Sequence, residues 1–500
     1  VKMGENFRRK ARYVADGHKT DPPATLMYAS VVSRDSVRLF FLLAALNDLK
    51  VAACDIEGAY LTADCREKIY IIAGPEFGSE KGLLFIIRKA LYGLKSSGAA
   101  FRARLAATLR ELHYVPTQAD PDVWLRPATK PDGTEYYEYV IVYVDDIGHA
   151  SHDTSVTMNG IQAAYKLKND CVDPPKQYLG AGVEFKMING VECWTMNSND
   201  YVKAAITNVD KKLAEKGLRL QPKCPTPIAS GYRPELDSSA ELNDLDGRYY
   251  QELIGVLRWA VELGRIDIHM EVSLLSTYLA LPRTGHLEQV YHIFGYLKQN
   301  PSRQLAFDPR HPDIDERRFV QHDWQEFYRY ADEQRSPVEP PPRGKSVSTH
   351  CFVDADHAGN KLTRRSQTGI LLFVNRAPIA WYSKRQNSVE DASFGSEFVA
   401  LRQAKNMIVA LRYKLRSFGV EIEGPTNVFC DNEAVTKNVR SPESTLNKKS
   451  LSICYHGVRE AVAAGVIRVA WENTRTNLAD LLTKALPRVR REELMDCFMF

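Results

Sequence analysis

Seven carboxylates stand where an apolar run ends or begins, and that placement is the first clue to chemistry. Asp145 and Asp146 follow directly on Val140-Ile141-Val142-Tyr143-Val144. Such a run reads as a buried strand, in which aspartate is depleted and an unpaired ionised carboxylate is costly to bury. Asp55 ends a second apolar stretch, ninety residues earlier (145 − 55). Carboxylates at the tips of neighbouring strands can hold two divalent cations about 3.5–4 Å apart, which clamp the attacking and leaving oxygens of a phosphoryl transfer. Magnesium takes oxygen ligands and keeps waters, so aspartate suits it better than His or Cys. A second group repeats the pattern. Asp354 follows Cys351-Phe352-Val353, and Asp431 follows Val428-Phe429-Cys430. Glu397 lies one helical turn before Leu401, and Asp480 stands at a helix start in NLADLLTK. Three aspartates and a glutamate in one domain can again hold two cations, here to activate a water. Taken singly, each acid also reads as ordinary turn or cap chemistry.

The elements that must position these acids are of mixed type. Ser33 can cap a helix through Leu46, with Val37, Phe40, Phe41 and Ala44 on its apolar face. A strand into ACDIEGAYLT follows, then helix-like LYGLKSSGAAFRARLAATLREL, strand-rich EYYEYVIVYVDD and a helix from Thr154 to Lys168. Tyr249 to Lys298 is helical almost throughout. SPVEPPPRGK, Ser336 to Lys345, holds four prolines and reads as a linker, with a domain boundary near residue 346. Beyond it strands alternate with helices, the pattern of an α/β domain.

Bulk numbers bound the rest. Five hundred residues are too many for one ordinary core, and 44% hydrophobic with 26% charged residues is a globular composition. The longest apolar run, Leu39 to Leu46, is far short of the ~20 residues of a membrane span. Nine cysteines without a C-x-x-C pair argue against a zinc site or disulfide scaffold and fit a reducing, intracellular setting. The net charge of +4 does not by itself imply nucleic acid. Starting on Val1, the sequence reads as a piece of something longer.

The string Tyr143-Val144-Asp145-Asp146 in this setting resembles the catalytic motif of reverse transcriptases, and its surroundings resemble the copia-type (Pseudoviridae) LTR-retrotransposon Pol polyproteins. KARYVADGH resembles the fingers strand, YASVVSRDSVRLFFLLAALND the helix before the first acid, and DIEGAYLTA the motif that carries it. LYGLKSSGAAF resembles a template-handling segment; YLGAGVEF and RYYQELIGVLRWAVELGRIDI resemble later palm and thumb pieces. FVDADHAG, SKRQNSVEDASFGSEFVAL, VFCDNEA and NLADLLTK resemble the RNase H domain of the same polyproteins, in the same order.

The resemblance implies an α/β and α+β multidomain chain: a right-hand polymerase of fingers, palm and thumb, followed by an RNase H-like α/β domain. Fingers and palm would span 1–190, the thumb 191–300, a connection with the Pro-rich linker 301–346, the RNase H domain 347–485 and a C-terminal tail 486–500. Asp55, Asp145 and Asp146 would bind two Mg²⁺ for polymerisation; Asp354, Glu397, Asp431 and Asp480 would bind two for hydrolysis, with Mn²⁺ as a substitute. Tyr60 would be the gate that rejects a ribose 2′-OH. Lys10 and Arg12 would contact the triphosphate, and Gly93 and Lys95 belong to the template and nucleotide segment.

The function so implied is RNA-directed DNA synthesis with removal of RNA from the hybrid, on an RNA template, DNA primer, RNA–DNA hybrid and dNTPs. The hybrid would be held by phosphates and shape, with little sequence preference and strong salt dependence. The setting implied is a cytoplasmic virus-like particle, with the DNA later reaching the nucleus. Protease, integrase and capsid would be further partners, since no D-[ST]-G signature or His/Cys zinc module is present. Two features depart from the pattern. Gly148 and His149 replace apolar residues, which would weaken the second strand of the hairpin, and Asp64-Cys65 replaces a Gly-containing turn. They leave open a decayed or domesticated copy that binds primer–template without turnover. An RNA-templated RNA polymerase on the same palm is a further rival, against which Tyr60 and the nuclease segment speak.

Overall fold

A computed structural model describes residues 2–3, 9–10, 12–22, 28–168, 174–446 and 449–500. The chain is of mixed α/β type and forms two compact units: Val1–Phe40 with Asp48–Pro175, and Phe41–Asn47 with Lys176–Phe500. The expected boundaries at 190, 300 and 346 do not coincide with this division.

In the first unit a five-stranded antiparallel sheet runs in the order Lys50–Asp55, Asp146–Ser151, Glu135–Tyr143, Val123–Thr129, Val115–Pro116. Helices Ser97–Glu111 and Ser155–Ala164 cover one face, where Phe101, Leu105, Leu109, Met158 and Ile161 pack with Ala52, Val140, Val142 and Ile147. On the strand Glu135–Tyr143, Tyr139 and Ile141 are buried as fully as Val140 and Val142. Burial on both faces explains why the VIVYV run does not alternate with polar residues. Helices are shorter than the sequence predicts: Leu91 to Ser96 forms turns, and the second helix stops at Ala164.

The strand Asp146–Ser151 is not weakened by Gly148 and His149. It pairs with Lys50–Asp55 on one side and Glu135–Tyr143 on the other. A Cβ on Gly148 would lie 2.9 Å from Ile141 Cγ1, so the missing side chain makes room for core packing. His149 is fully buried and hydrogen-bonds through Nε2 to Tyr114 Oη at 2.9 Å; the Tyr114 hydroxyl also donates to Glu138 at 2.9 Å. A buried polar group with partners does not break a strand. Asp64 is likewise engaged, bridging to the strand position of Lys89 and pairing with its ammonium at 2.7 Å.

The second unit holds two sheets and a cluster of helices. Ala181–Ile188, Val191–Asn197 and Gln304–Phe307 form an antiparallel sheet with the short strand Gln177–Tyr178. Helices Asn199–Glu215, Asp244–Glu262, His269–Leu275 and Thr284–Gln299 share one apolar core that includes Val209, Leu257 and Phe294. The Asn243 side chain caps the second of these by accepting from Asp246 N–H at 2.9 Å. A mixed sheet follows, ordered Ala377–Arg385, Gln367–Val374, Thr349–Asp356, Thr426–Cys430, Ile467–Trp471, with its last two pairings parallel. The long helix Ser393–Ser417 packs on it through Phe398, Leu401, Ala404 and Ile408, all fully buried.

Ser336–Lys345 carries neither helix nor strand, as its prolines dictate, yet it is pinned. Arg343 N–H donates to Gly419 at 3.0 Å and Lys345 N–H to Asn47 Oδ1 at 2.9 Å. The expected tail, 486–500, is instead a docked element. Its helix Arg488–Met495 buries Leu494 and Met495, and Phe498 and Met499 continue the same core. Arg491, 1% exposed, pairs with the equally buried Glu271 at 2.9 Å.

Candidate active sites

Tyr143 and Asp146 are register partners, so Val144 and Asp145 form a two-residue hairpin turn. Such a turn needs a positive φ, and Val144 supplies it at 57°. A β-branched residue there is strained by about 1–3 kcal/mol, a cost that the surrounding sheet must hold. The strained turn delivers both aspartates to one strand end, where Asp55 is the register partner of Asp146. Ile56 N–H donates to the Asp145 carbonyl at 3.0 Å and ties the turn to the neighbouring strand. Burial pushes the Asp146 carboxyl up to about 6, and the charges of Asp145 and Asp55 add to the shift.

A pocket of about 290 Å³ opens here, lined among others by Arg12, Tyr92, Asp55, Asp145 and Lys168. The Arg12 guanidinium lies 5.2 Å from the centre of the Tyr92 ring. Tyr60 packs against Tyr92 at 5.0 Å, and burial raises its phenol with help from the Asp145 charge. Gly93 serves the backbone: its φ is 92°, and a Cβ would stand 2.1 Å from the Ala15 carbonyl oxygen. Lys95 donates to the Thr20 carbonyl at 2.7 Å and does not line the pocket. Lys10 falls in the two-residue strand Arg9–Lys10, and its side chain is outside the described residues.

Lys168 is a site residue that sequence reasoning missed: its ammonium contacts the Asp55 carboxylate while its backbone N–H donates to the Asp55 carbonyl at 2.9 Å. That contact raises the lysine. The pair is 113 positions apart, and a lysine in a run reading KLKND carries no signal of it.

The second group closes more tightly. Asp354 lies on the central strand, and Asp431 follows the strand parallel to it. Glu397 is on the long helix, and Asp480 is in the 3₁₀ turn Leu478–Leu482. Carboxylate oxygens of Asp354, Asp431 and Asp480 all lie within 4.8 Å of one another, as do ligand atoms of Glu397, Cys430 and Asp431. Among the described residues these are the groups of that closeness, so the first trio shares a strand end without converging as far. Burial, reinforced by Asp354, pushes Asp480 up to about 6. Burial also raises Asp431 and holds Glu397 well above the usual carboxylate range, with Asp354 and Asp431 adding to the Glu397 shift.

Lys484 bonds Asp480 Oδ1 at 2.8 Å and stands 3.1 Å from Asp354 Oδ2, so an ammonium sits among the carboxylates. Those charges raise it against its burial. The Thr483 hydroxyl donates to Asp354, and Thr474 donates to Asp431 at 3.0 Å. NLADLLTK contains Lys484, and its i+4 spacing from Asp480 was the signal available in sequence. The donor set fits a hard divalent cation. It consists of carboxylate oxygens, and Glu397 Oε2 is buried with no hydrogen-bond partner. Burial raises the Cys430 thiol well above its usual range, and a soft sulfur suits a hard cation less well than the carboxylates beside it.

Residues 2–216 match the family model described as reverse transcriptase (RNA-dependent DNA polymerase). Over 97% of its length the chain is 24% identical to the retrovirus-related Pol polyprotein from transposon RE1 of Arabidopsis thaliana, and likewise 24% identical to that from transposon TNT 1-94 of Nicotiana tabacum. A Ty1 Gag-Pol polyprotein of Saccharomyces cerevisiae matches 96% of the chain at 22% identity. The chain spans 30%, 34% and 25% of these three relatives. Among solved structures, LC11-RNase H1 in complex with RNA/DNA hybrid aligns with 28% of this chain and 94% of its own, at 14% identity and a TM-score of 0.23. No helix among the described residues is long and apolar enough to cross a membrane. Through nearly its whole length, then, the chain is similar to the Pol polyproteins of copia-type transposons, and residues 2–216 match the reverse transcriptase family model.

Proposed function

We propose that this chain copies RNA into DNA at Asp55, Asp145 and Asp146 and cuts the RNA strand of the resulting hybrid at Asp354, Glu397, Asp431 and Asp480. The observation that carries the proposal is the facing of Asp55 and Asp146 across paired strands, beside a strained turn that carries Asp145, inside the segment that matches the reverse transcriptase family. In this reading the first unit supplies fingers and palm, the helices from Asn199 to Gln299 the thumb, and the mixed sheet the nuclease.

Mg²⁺, with Mn²⁺ as a substitute, would supply Lewis-acid charge at both carboxylate groups. The chain's own residues do the rest. Arg12 sits where it can hold a triphosphate by charge-assisted hydrogen bonds. Tyr60, backed by Phe101 at 6.2 Å, has little freedom to yield to a 2′-OH. Lys168 pairs its ammonium with the Asp55 carboxylate. In the nuclease group Thr483 and Thr474 fix Asp354 and Asp431, and Lys484 balances their charge.

A second reading, a copy that binds primer–template without turnover, draws on the looser first trio and the lysine on Asp55. Primer extension on RNA with dNTPs and Mg²⁺, following template and product together, separates the two. DNA growth stopped by Asp145→Asn and RNA cutting stopped only by Asp431→Asn assigns both sites. A chain that shifts hybrid in a gel but makes no DNA and cuts no RNA supports the second reading.

A further inference from the structure

Residues 314–319 lie in the stretch expected to be a connection, yet they fold onto the mixed sheet that follows. Asp315 caps a single 3₁₀ turn, Glu316–Arg318, by accepting from Arg317 N–H at 3.1 Å. Phe319 packs with Phe429 and Ala470, and Ile314 and Phe352 close the cluster. A strand turns alternate residues to one face, so Phe352 shares a face with Asp354. Phe429, the register partner of Phe352, stands two residues before Asp431. The segment therefore covers the row next to the carboxylates. Glu316 fastens it by accepting from Arg468 at 2.6 Å, and the Arg468 guanidinium lies 4.3 Å from the centre of the Phe319 ring.

One residue of this segment reaches the loop that holds Asp431. Arg318 Nη2 donates to the Trp471 carbonyl and to Glu472 Oε2, both at 2.6 Å. Trp471 ends the last strand of the sheet, and the Glu472 N–H that follows donates to the Cys430 carbonyl at 2.9 Å. The other oxygen of Glu472 accepts from the Thr476 hydroxyl, so one carboxylate closes the loop on itself. Inside that closure the Thr474 hydroxyl donates to Asp431 Oδ2 at 3.0 Å. The Trp471 indole N–H donates to the Asp431 carbonyl at 3.1 Å. Glu472 is 8% exposed, and Arg318 is its ion-pair partner among the described residues. Removing one partner of such a pair leaves a buried charge unmatched, and the loop would have to shift toward water.

We infer that residues 314–319 brace the hydrolytic site and that Arg318 is a positioning residue for Asp431, acting through the Glu472 loop. The inference rests on the hydrolytic reading of that site given above. Asp354 and Asp480 share Lys484, whereas the Asp431 side chain takes its hydrogen bond from Thr474, so its aim follows the loop. Partners that orient a metal ligand from outside are worth about 10–100-fold in metal affinity or activity. The nuclease thus begins before the Pro-rich stretch, and a piece cut at residue 347 lacks the residue that sets Asp431.

The test compares the full chain with Arg318→Gln, Glu472→Gln and the two combined, each assayed well below its melting midpoint. Arg318→Gln should lower kcat for hybrid cutting about 10–100-fold, with KM and DNA synthesis held. Glu472→Gln should also lower kcat, and the combined variant should lose no more than Arg318→Gln alone, because both break one link. Arg318→Lys, which keeps a charged donor for both acceptors, should restore most of kcat. Arg317→Gln removes the same charge one residue away, from a side chain 91% exposed, and should cut like the parent. Mn²⁺ binding read by electron paramagnetic resonance in an Asp146→Asn background needs no turnover, and Arg318→Gln should weaken it about tenfold. If Arg318→Gln cuts and binds Mn²⁺ like the parent, if Arg317→Gln matches its losses, or if the losses multiply in the combined variant, the brace is wrong while the hydrolytic reading stands. If the parent binds Mn²⁺ but never cuts hybrid, the hydrolytic reading fails, and the Mn²⁺ shift alone decides the positioning. A parent whose Mn²⁺ binding ignores Asp431→Asn overturns both.

Discussion

Asp146 offers the sharpest quantitative test of the polymerase site. Its carboxyl is pushed up to about 6 by burial, then by Asp145 and Asp55, because three acids share one strand end. A divalent cation must bind the ionised form, so it competes with a proton. At pH 7.5 nearly every Asp146 is ionised, and at pH 5 only about a tenth. Apparent cation affinity at this site should therefore weaken about tenfold between those values, or about 1.4 kcal/mol. Asp480 titrates in the same range, so the measurement belongs in an Asp480→Asn background. Mn²⁺ binding followed by electron paramagnetic resonance reads free ion directly. Adding Asp146→Asn should lower affinity at pH 7.5 and remove the dependence on pH. A change of less than about twofold in the parent, or a tenfold change that survives Asp146→Asn, would refute the reasoning.

The sign also fixes a stability effect. The folded carboxyl binds its proton more tightly than the unfolded one, whose value is 3.8. The metal-free folded chain thus carries more protons between roughly pH 4 and 6, and its stability falls as pH rises through that window. Partial exposure screens the loss to about 1–2 kcal/mol, and added Mg²⁺ should recover it above pH 6 but not below.

Other outcomes follow from single contacts. Lys484→Gln removes the ammonium between Asp354 and Asp480 and should cost about 2 kcal/mol in EDTA, with Mg²⁺ restoring most of the melting temperature. Tyr60→Val should raise ribonucleotide incorporation at least about tenfold while dNTP use persists, read by primer extension with mixed pools. Gly93→Ala places a Cβ 2.1 Å from the Ala15 oxygen at a φ of 92° and should cost about 2 kcal/mol or more, with a raised KM for dNTP. Arg491→Met strands the fully buried Glu271 carboxylate and should cost about 3–5 kcal/mol in chemical denaturation; adding Glu271→Leu should recover most of it.

What was legible in the sequence is what local chemistry decides. VIVYVDD announces a buried strand that ends in a turn because a central strand covered on both faces cannot alternate. The proline run announces irregular backbone because proline lacks the donor a ladder needs. The carboxylates announce themselves because an acid beside an apolar run must be explained. What was not legible depends on a partner distant in sequence. Lys168 on Asp55 and Arg491 on Glu271 are pairs separated by 113 and 220 positions. His149 misled for the same reason. Read alone it is a polar residue in a strand, and only the Tyr114–Glu138 network shows that its Nε2 finds a partner inside. The C-terminal helix was misread because a charged segment, RVRREEL, hides the few apolar residues that dock it.

Both carboxylate groups face one electrostatic problem and meet it with the same device. Two unit charges 4.8 Å apart repel by about 3.5 kcal/mol at an effective dielectric near 20, so three such pairs among Asp354, Asp431 and Asp480 would cost about 10 kcal/mol if all were ionised and unmatched. A domain stable by about 5–15 kcal/mol cannot carry that cost. The chain lowers it in two ways: burial raises Asp431 and Asp480, so each takes up a proton more readily, and the Lys484 ammonium bridges Asp354 and Asp480. Lys168 does for Asp55 what Lys484 does for the other group. Each lysine therefore lets its unit fold without a metal, and each is a charge that an arriving cation must compete with. The residues that permit folding thus also set the affinity at which the cation binds, which is why the lysine variants and the metal titrations test one argument.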